Sequence, residues 1–236
     1  MNLKQFNNVK VNSIPTLNLV PISSKLAIKI YEEIAILYLI PALILLLAFN
    51  YIGNYSYKSI NNFSFNGNEI VGLVLALLWL VISAINIGPT IYLRLHASRD
   101  ENVPKIVDCY KNGLRLSPRI LLTFILLYVT VAIGLILLIF PGIILLRKYF
   151  LAPYYAADNP DLSLIEVFKI SSTQSKSFRN AIYSTLALLI LIGLMFDIFN
   201  SNVFTKLITT IIDYLFIFIP ALRYNEISTY FAKKHS

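Results

Sequence analysis

Residues 140–159 read FPGIILLRKYFLAPYYAADN, and the fold depends on how this stretch is read. One apolar run ends at Pro141-Gly142. A second starts at once, carries Arg147 and Lys148 side by side, and closes on Pro153, tyrosines and a polar loop. Either Pro-Gly turns the chain back, or it kinks one long helix. The distribution of Lys and Arg decides, because cations collect on the cytoplasmic side of a membrane. With a reversal the chain has six apolar spans. Then 16 cations fall on the side of both termini and 2 on the other, with Arg147 and Lys148 inside the membrane. With one continuous helix the split is 11 against 9. The spacing therefore predicts a reversal, with helix breaks at Pro141, Gly142 and Pro153.

Composition supplies the bilayer. Of 236 residues, 57% are hydrophobic and 14% are charged, and the mean hydropathy is +0.70. The apolar residues gather in runs of about 15–24, enough to cross a hydrocarbon core of about 30 Å at about 1.5 Å per residue. The runs are 34–52, 70–93, 120–140, 143–157, 181–199 and 204–222. The expected fold is all-α: a polytopic transmembrane helical bundle of six spans with short amphipathic surface helices. Residues 1–33 form a cytoplasmic N-terminal segment, 34–222 the membrane domain and 223–236 a cytoplasmic tail. No small-x-small cleavage site follows the first run, so it is expected to be retained as a span. The expected location is the cell membrane, multi-pass, with both termini cytoplasmic.

The net charge of +8 does not point to nucleic acid. The cations lie between apolar runs, where attraction to anionic lipid headgroups accounts for them. The lone Cys109 excludes an intrachain disulfide and a cysteine metal cluster. Neither GxSxG, HExxH, a P-loop nor CxxC occurs, and His96 and His235 lie far apart in the sequence. No catalytic residue, metal or cofactor is expected.

Two surface helices are predicted on the cytoplasmic side. In the first, Val103, Ile106, Val107, Tyr110 and Leu114 recur at helical spacing, with Lys105, Lys111 and Arg115 as lipid-headgroup candidates. The second opens with a capping box, Ser163-Leu-Ile-Glu166. Their openings share one pattern: Ile106-Val-Asp108-Cys-Tyr110-Lys111 beside Leu164-Ile-Glu166-Val-Phe168-Lys169. Each follows a span marked by proline and a basic residue, so internal duplication and coincidence both fit.

The run Phe140-Pro-Gly-Ile-Ile-Leu-Leu, then Lys148-Tyr-Phe-Leu-Ala-Pro153-Tyr, Asp158-Asn-Pro and Glu166…Lys169…Ser171 resembles a widespread family of prokaryotic polytopic membrane proteins. These are related to the membrane domain of some glycerophosphoryl diester phosphodiesterases. The specific match covers about a third of the chain. The resemblance implies a polytopic helical fold and no established activity for stand-alone members. The chain departs from the family pattern at Lys148, where Arg is usual, at the added Arg147, at Val167 in place of Ala and at Ser177 in place of Gly. A phosphodiesterase barrel needs about 250 further residues, so that activity is not carried over.

Intramembrane charge is the remaining functional hint, because ionisable groups are expensive there. Arg147 and Lys148 in the fourth span, and Asp213 in the sixth, are the candidates. They form either a structural ion pair or a polar pathway or headgroup site. The expected function is a non-catalytic accessory or scaffold protein that binds membrane lipid or a partner membrane protein. The alternative is a small transporter or permease using the Arg147/Lys148–Asp213 region.

Overall fold

The computed structural model describes residues 67–99, 104–199 and 218–235. These form helices α1 (Gly67–Ser98), α2 (Ile106–Gly113), α3 (Ser117–Leu137), α4 (Ile139–Tyr149), α5 (Ala152–Asp158), α6 (Leu164–Ser177), α7 (Arg179–Phe199) and α8 (Ile219–His235). No strand occurs among the described residues. Of these helices, α3 alone is long and apolar enough to cross a membrane. The pair α6–α7, bent by 99° at Phe178, passes the same test when taken together. The first predicted span and most of the sixth, with Asp213, lie outside the described residues.

Burial divides the molecule into two ends. On α1, Val74, Leu77, Leu78, Leu80, Val81 and Ile85 are exposed, whereas Asn86, Ile91, Leu93, Leu95 and Ala97 are buried. On α3 the buried residues Ile120, Thr123, Leu127, Val131 and Gly134 mark one helical face. Beyond them the α3–α4 corner is bare: Ile136 is 84% and Phe140 80% exposed. The other end is a cap in which α2, α5, α6 and α8 close over the ends of the longer helices.

Proline creates the attachment points of this cap. Pro89, inside α1, lacks the N–H that would bond to the Ile85 carbonyl four residues back. That carbonyl accepts instead from Ser117 Oγ, at 2.8 Å. Gly88 and Gly113 let the backbones of α1 and α2 touch there. A Cβ on Gly88 would stand 2.1 Å from the Gly113 oxygen.

The α3–α4 corner differs from the predicted break. The helix ends at Leu138, which is extended, and Pro141 and Gly142 lie in the first turn of α4. The physical reason is that the first-turn N–H groups of a helix have no intrahelical acceptor, so proline is tolerated there and acts as a starter. Gly142 instead serves packing: a Cβ on it would meet the Leu135 backbone nitrogen at 2.8 Å. The chain does turn back, since Arg119 at the start of α3 bonds to the carbonyls of Ala156, Asn159 and Leu162.

The stretch expected as a fourth span is two helices. It breaks at Phe150 and Leu151, and Pro153 lies in the first turn of α5. This break frees the Lys148 carbonyl, which accepts from Ser171 Oγ at 2.9 Å and Ser175 Oγ at 3.2 Å. Here the sequence similarity of the two surface helices acquires a structural counterpart. Both begin after an extended N-cap, Lys105 at φ −64, ψ 155 and Ser163 at φ −65, ψ 154. Cys109 and Val167 occupy the same position in their helices, and both are buried. Ser117 and Ser175 also stand at equivalent positions, and each closes a carbonyl freed near a proline.

The predicted capping box is formed. Ser163 Oγ accepts from the Glu166 N–H at 3.3 Å, and Glu166 accepts from the Ser163 N–H at 2.8 Å. The Ser163 hydroxyl, donating to the Glu166 carboxylate at 2.7 Å, and then the Ser163 N–H hold that carboxyl below the usual glutamate range. A lowered acid contributes stability above its unfolded-state value, and that contribution disappears as pH falls through the folded value. As the loss of an N-cap, Ser163→Ala should cost about 1 kcal/mol near neutral pH. In acid the gap between variant and wild type should narrow. Detergent-phase melts across a pH series read both, and a gap independent of pH would contradict the Glu166 contribution.

Of residues 223–236, expected as a separate tail, 223–235 belong to α8. Pro220 lies in its first turn. Arg223, Tyr224, Ile227 and Phe231 are buried in the cap core, where Phe178 meets the rings of Tyr230 and Phe231. Tyr224, Ile227 and Phe231 fall at helical spacing on one face, so this end packs as a core helix.

Candidate functional site

A pocket of about 800 Å³ opens in the cap between α5, α6, α8 and the end of α1. Asp158, the last residue of α5, organises it. Its Oδ2 takes an ion pair from Arg99 at 2.7 Å and a hydrogen bond from Tyr224 Oη at 2.6 Å. Both groups of the ion pair are only partly exposed, so the pair is better shielded than one on an open surface. Beside it the Tyr155 hydroxyl donates to Gln174 Oε1 on α6, and its ring packs edge-on to Tyr224, 4.7 Å between centroids. Asn225 Nδ2 ties α8 to the Ser98 carbonyl at 3.0 Å. Glu166 and Lys169 stand on the α6 wall.

The electrostatics favour binding over proton transfer. Burial, and then the Asp158 charge, push the Tyr224 phenol well up, so near neutral pH it is a hydrogen-bond donor and not a nucleophile. Asp158 is held by two donors, and Glu166 is engaged in its capping box. The wall therefore carries both signs of charge with its carboxylates already partnered. That arrangement suits a polar ligand with complementary donors and charges.

A second internal pair lies behind the pocket. Arg223 is fully buried, donates from Nε to Thr185 Oγ1 at 3.1 Å and pairs with Glu226 at 2.6 Å. Burial lowers the Arg223 pKa, and burial raises that of Glu226 against the pull of the guanidinium. It links α8 to α7.

The residues singled out by sequence fall elsewhere. Lys105, Lys111 and Arg115 are exposed around α2, beside Val107, itself 70% exposed. Arg147 and Lys148 form the last turn of α4, where cations suit the helix C-terminus. Arg147 is buried, only 8% exposed, with its guanidinium carbon 5.5 Å from the Tyr183 ring centroid. Lys148 is half-buried, and its carbonyl holds α6. Asp213 lies outside the described residues, so its expected pairing with either cation does too. Sequence reasoning did not single out Arg99, Tyr155, Gln174 and Tyr224, and had Asp158 only within the Asp158-Asn-Pro run of the resemblance. Their one local trace was the helical spacing of Tyr224, Ile227 and Phe231. Among the described residues, no three His, Cys, Asp or Glu side chains come together as a metal-ligand group. No protein-family model, curated protein or solved structure matches this chain.

Proposed function

We propose that the chain is a multi-pass protein of the cell membrane, with both termini cytoplasmic. In this reading it acts as a non-catalytic accessory or scaffold protein, binding lipid or a partner membrane protein. One observation carries the membrane part: most of the exposed large apolar side chains lie on α1, α3, α4 and α7, and most of the buried polar ones in or beside the cap. Monomeric soluble proteins rarely leave contiguous apolar patches of more than a few hundred Å² in water, whereas a bilayer favours such a surface. The resemblance to polytopic proteins without established activity agrees with this assignment. In this reading α3 supplies the third of six crossings, the return of the chain through α4 and α5 the fourth, and the pocket side faces the cytoplasm. The pocket's paired carboxylates and protonated tyrosine favour a binding role over an enzymatic one.

Topology is tested with single cysteines in a Cys109→Ser background. Cysteines at Ser56 and Ser201 should react with an impermeant maleimide on intact cells. Those at Asp161 and Thr229 should react only after lysis. Labelling of Asp161→Cys from outside would refute the six-span orientation, and release of the protein by carbonate would refute integral insertion. For the scaffold reading, crosslinking in native membranes should capture the same lipid or membrane protein repeatedly through Asp161→Cys or Thr229→Cys. Turnover of a bound lipid by the purified protein would overturn it.

A further inference from the structure

The pocket wall holds hydrogen-bonding groups that the protein does not use. Both donors to Asp158, Arg99 and Tyr224, bond to Oδ2, and both bonds from Ser163 to Glu166 go to Oε2. Asp158 Oδ1 and Glu166 Oε1 therefore accept nothing from the described residues. Gln174 is the reverse case. Its Oε1 accepts from Tyr155, but its Nε2 donates to no described residue. The side chain is nevertheless only 8% exposed, and it lines the cavity. A buried donor without an acceptor is costly, so this amide calls for an acceptor from a ligand. Tyr155 brings the inner groups together: it precedes Asp158 by one turn of α5, and its hydroxyl reaches Gln174.

Charge and size narrow the ligand. The charged side chains of the wall are Arg99, Lys169, Asp158 and Glu166, two of each sign, so the wall gives no net preference to an anion or a cation. Leu162 and Ile170, and Phe231 and Ala232 from α8, supply apolar wall. A cavity of about 800 Å³ lies in the upper part of the range for ligand sites, so it admits more than one small polar group. An uncharged ligand must then offer an acceptor to Gln174, a donor to Asp158 and apolar groups to the rest. A peptide main chain does this, since each residue carries one C=O and one N–H beside its side chain.

We infer that the pocket binds an uncharged peptide segment of a partner protein. A main-chain carbonyl accepts from Gln174 Nε2, a main-chain N–H donates to Asp158 Oδ1, and apolar side chains pack on Ile170 and Phe231. The Arg99 and Tyr224 bonds hold the Asp158 carboxylate in place for this contact. The inference rests on the scaffold reading above, in which the pocket side faces the cytoplasm, within reach of a partner's loop or tail, and it names the chemistry that the site recognises.

The test is a saturation-transfer NMR titration of the full chain in phosphatidylcholine nanodiscs. The probe is a blocked dipeptide, N-acetyl-leucyl-leucine N-methylamide, and its analogue with an ester in place of the central amide. Wild type should bind the amide about tenfold more tightly than the ester, as expected for losing a hydrogen bond to a charged group. Asp158→Asn keeps an oxygen there but removes the charge, and should narrow the ratio to about threefold. Gln174→Glu keeps the oxygen that accepts from Tyr155 and replaces the free donor, so it should weaken the amide about tenfold. If either variant does not fold, the amide–ester ratio on wild type still decides. Equal binding of amide and ester, or no loss in Gln174→Glu, overturns the inference. Displacement of the dipeptide by an equal concentration of glycerophosphoglycerol makes the pocket a headgroup site and overturns the peptide. The parent reading is scored separately: carbonate release refutes insertion, and absence of a reproducible crosslinked partner refutes the scaffold, whereas an inserted, partner-bound chain that ignores the dipeptide refutes this inference alone.

Discussion

Gly88→Ala should lower stability by about 3 kcal/mol, the upper part of the range for overpacking a tight contact. The added methyl would stand 2.1 Å from the Gly113 carbonyl oxygen, 2.4 Å from Ser117 Oγ and 2.8 Å from the Ser117 nitrogen. Two of these are backbone atoms of α2 and α3, so no side chain can rotate away. The third is the hydroxyl that satisfies the carbonyl freed by Pro89. Relief requires α2 to move off α1, which leaves the Ile85 carbonyl without its donor. Gly113→Ala meets the same contact from the other side, with the Pro89 nitrogen and Cα at 2.5 Å, and should behave alike. Gly193 is the control. Nothing lies within 4 Å of a Cβ there, so Gly193→Ala should be neutral or stabilise by up to about 1 kcal/mol through helix propensity. Denaturant titrations in mild detergent measure all three. Gly88→Ala unfolding with Gly193→Ala would disprove the contact.

Arg119→Met should cost about 3 kcal/mol, since hydrogen bonds to a charged group are worth about 1.5–3 kcal/mol each and are not additive within one side chain. Its Nε donates to the Ala156 carbonyl at 3.0 Å, and its Nη2 donates to the carbonyls of Asn159, at 3.1 Å, and Leu162. These oxygens lie near the end of α5 and in the linker to α6, where carbonyls lack intrahelical donors. No other described side chain spans all three. Arg119→Lys should restore only a minor part, because an ammonium group on a flexible stem does not reproduce the fork. Hydrogen exchange should rise first over residues 156–163, which include part of the pocket wall. Uniform loss of protection over the whole chain, or none, would contradict an anchoring role.

Helix-forming segments, the capping box and the helices at 106–113 and 164–177 were legible because their causes are local. Apolar spacing of three and four, Ser three residues before Glu, and proline as a breaker all act within one or two turns. The paired openings at Ile106 and Leu164 were visible for the same reason, though their shared use of Ser117 and Ser175 was not. The exact breaks were less legible. Pro141 and Pro153 disrupt a helix locally, but proline in a first turn marks a start, so each boundary fell a few residues earlier.

The sequence by itself determined that this chain is helical, that its apolar side chains come in long runs and that its cations lie between them. Only the tertiary structure decided the pocket, because Arg99, Asp158 and Tyr224 come from separate helices and no local pattern links them. It also decided that Arg223, Tyr224, Ile227 and Phe231 of α8 are core: Arg223 is polar in sequence, yet Thr185 and Glu226 make its burial tolerable. That Arg147 has no anion among the described residues follows from packing as well. A sequence shows that a cation sits among apolar residues, but which partners reach it depends on how α4, α6 and α7 converge.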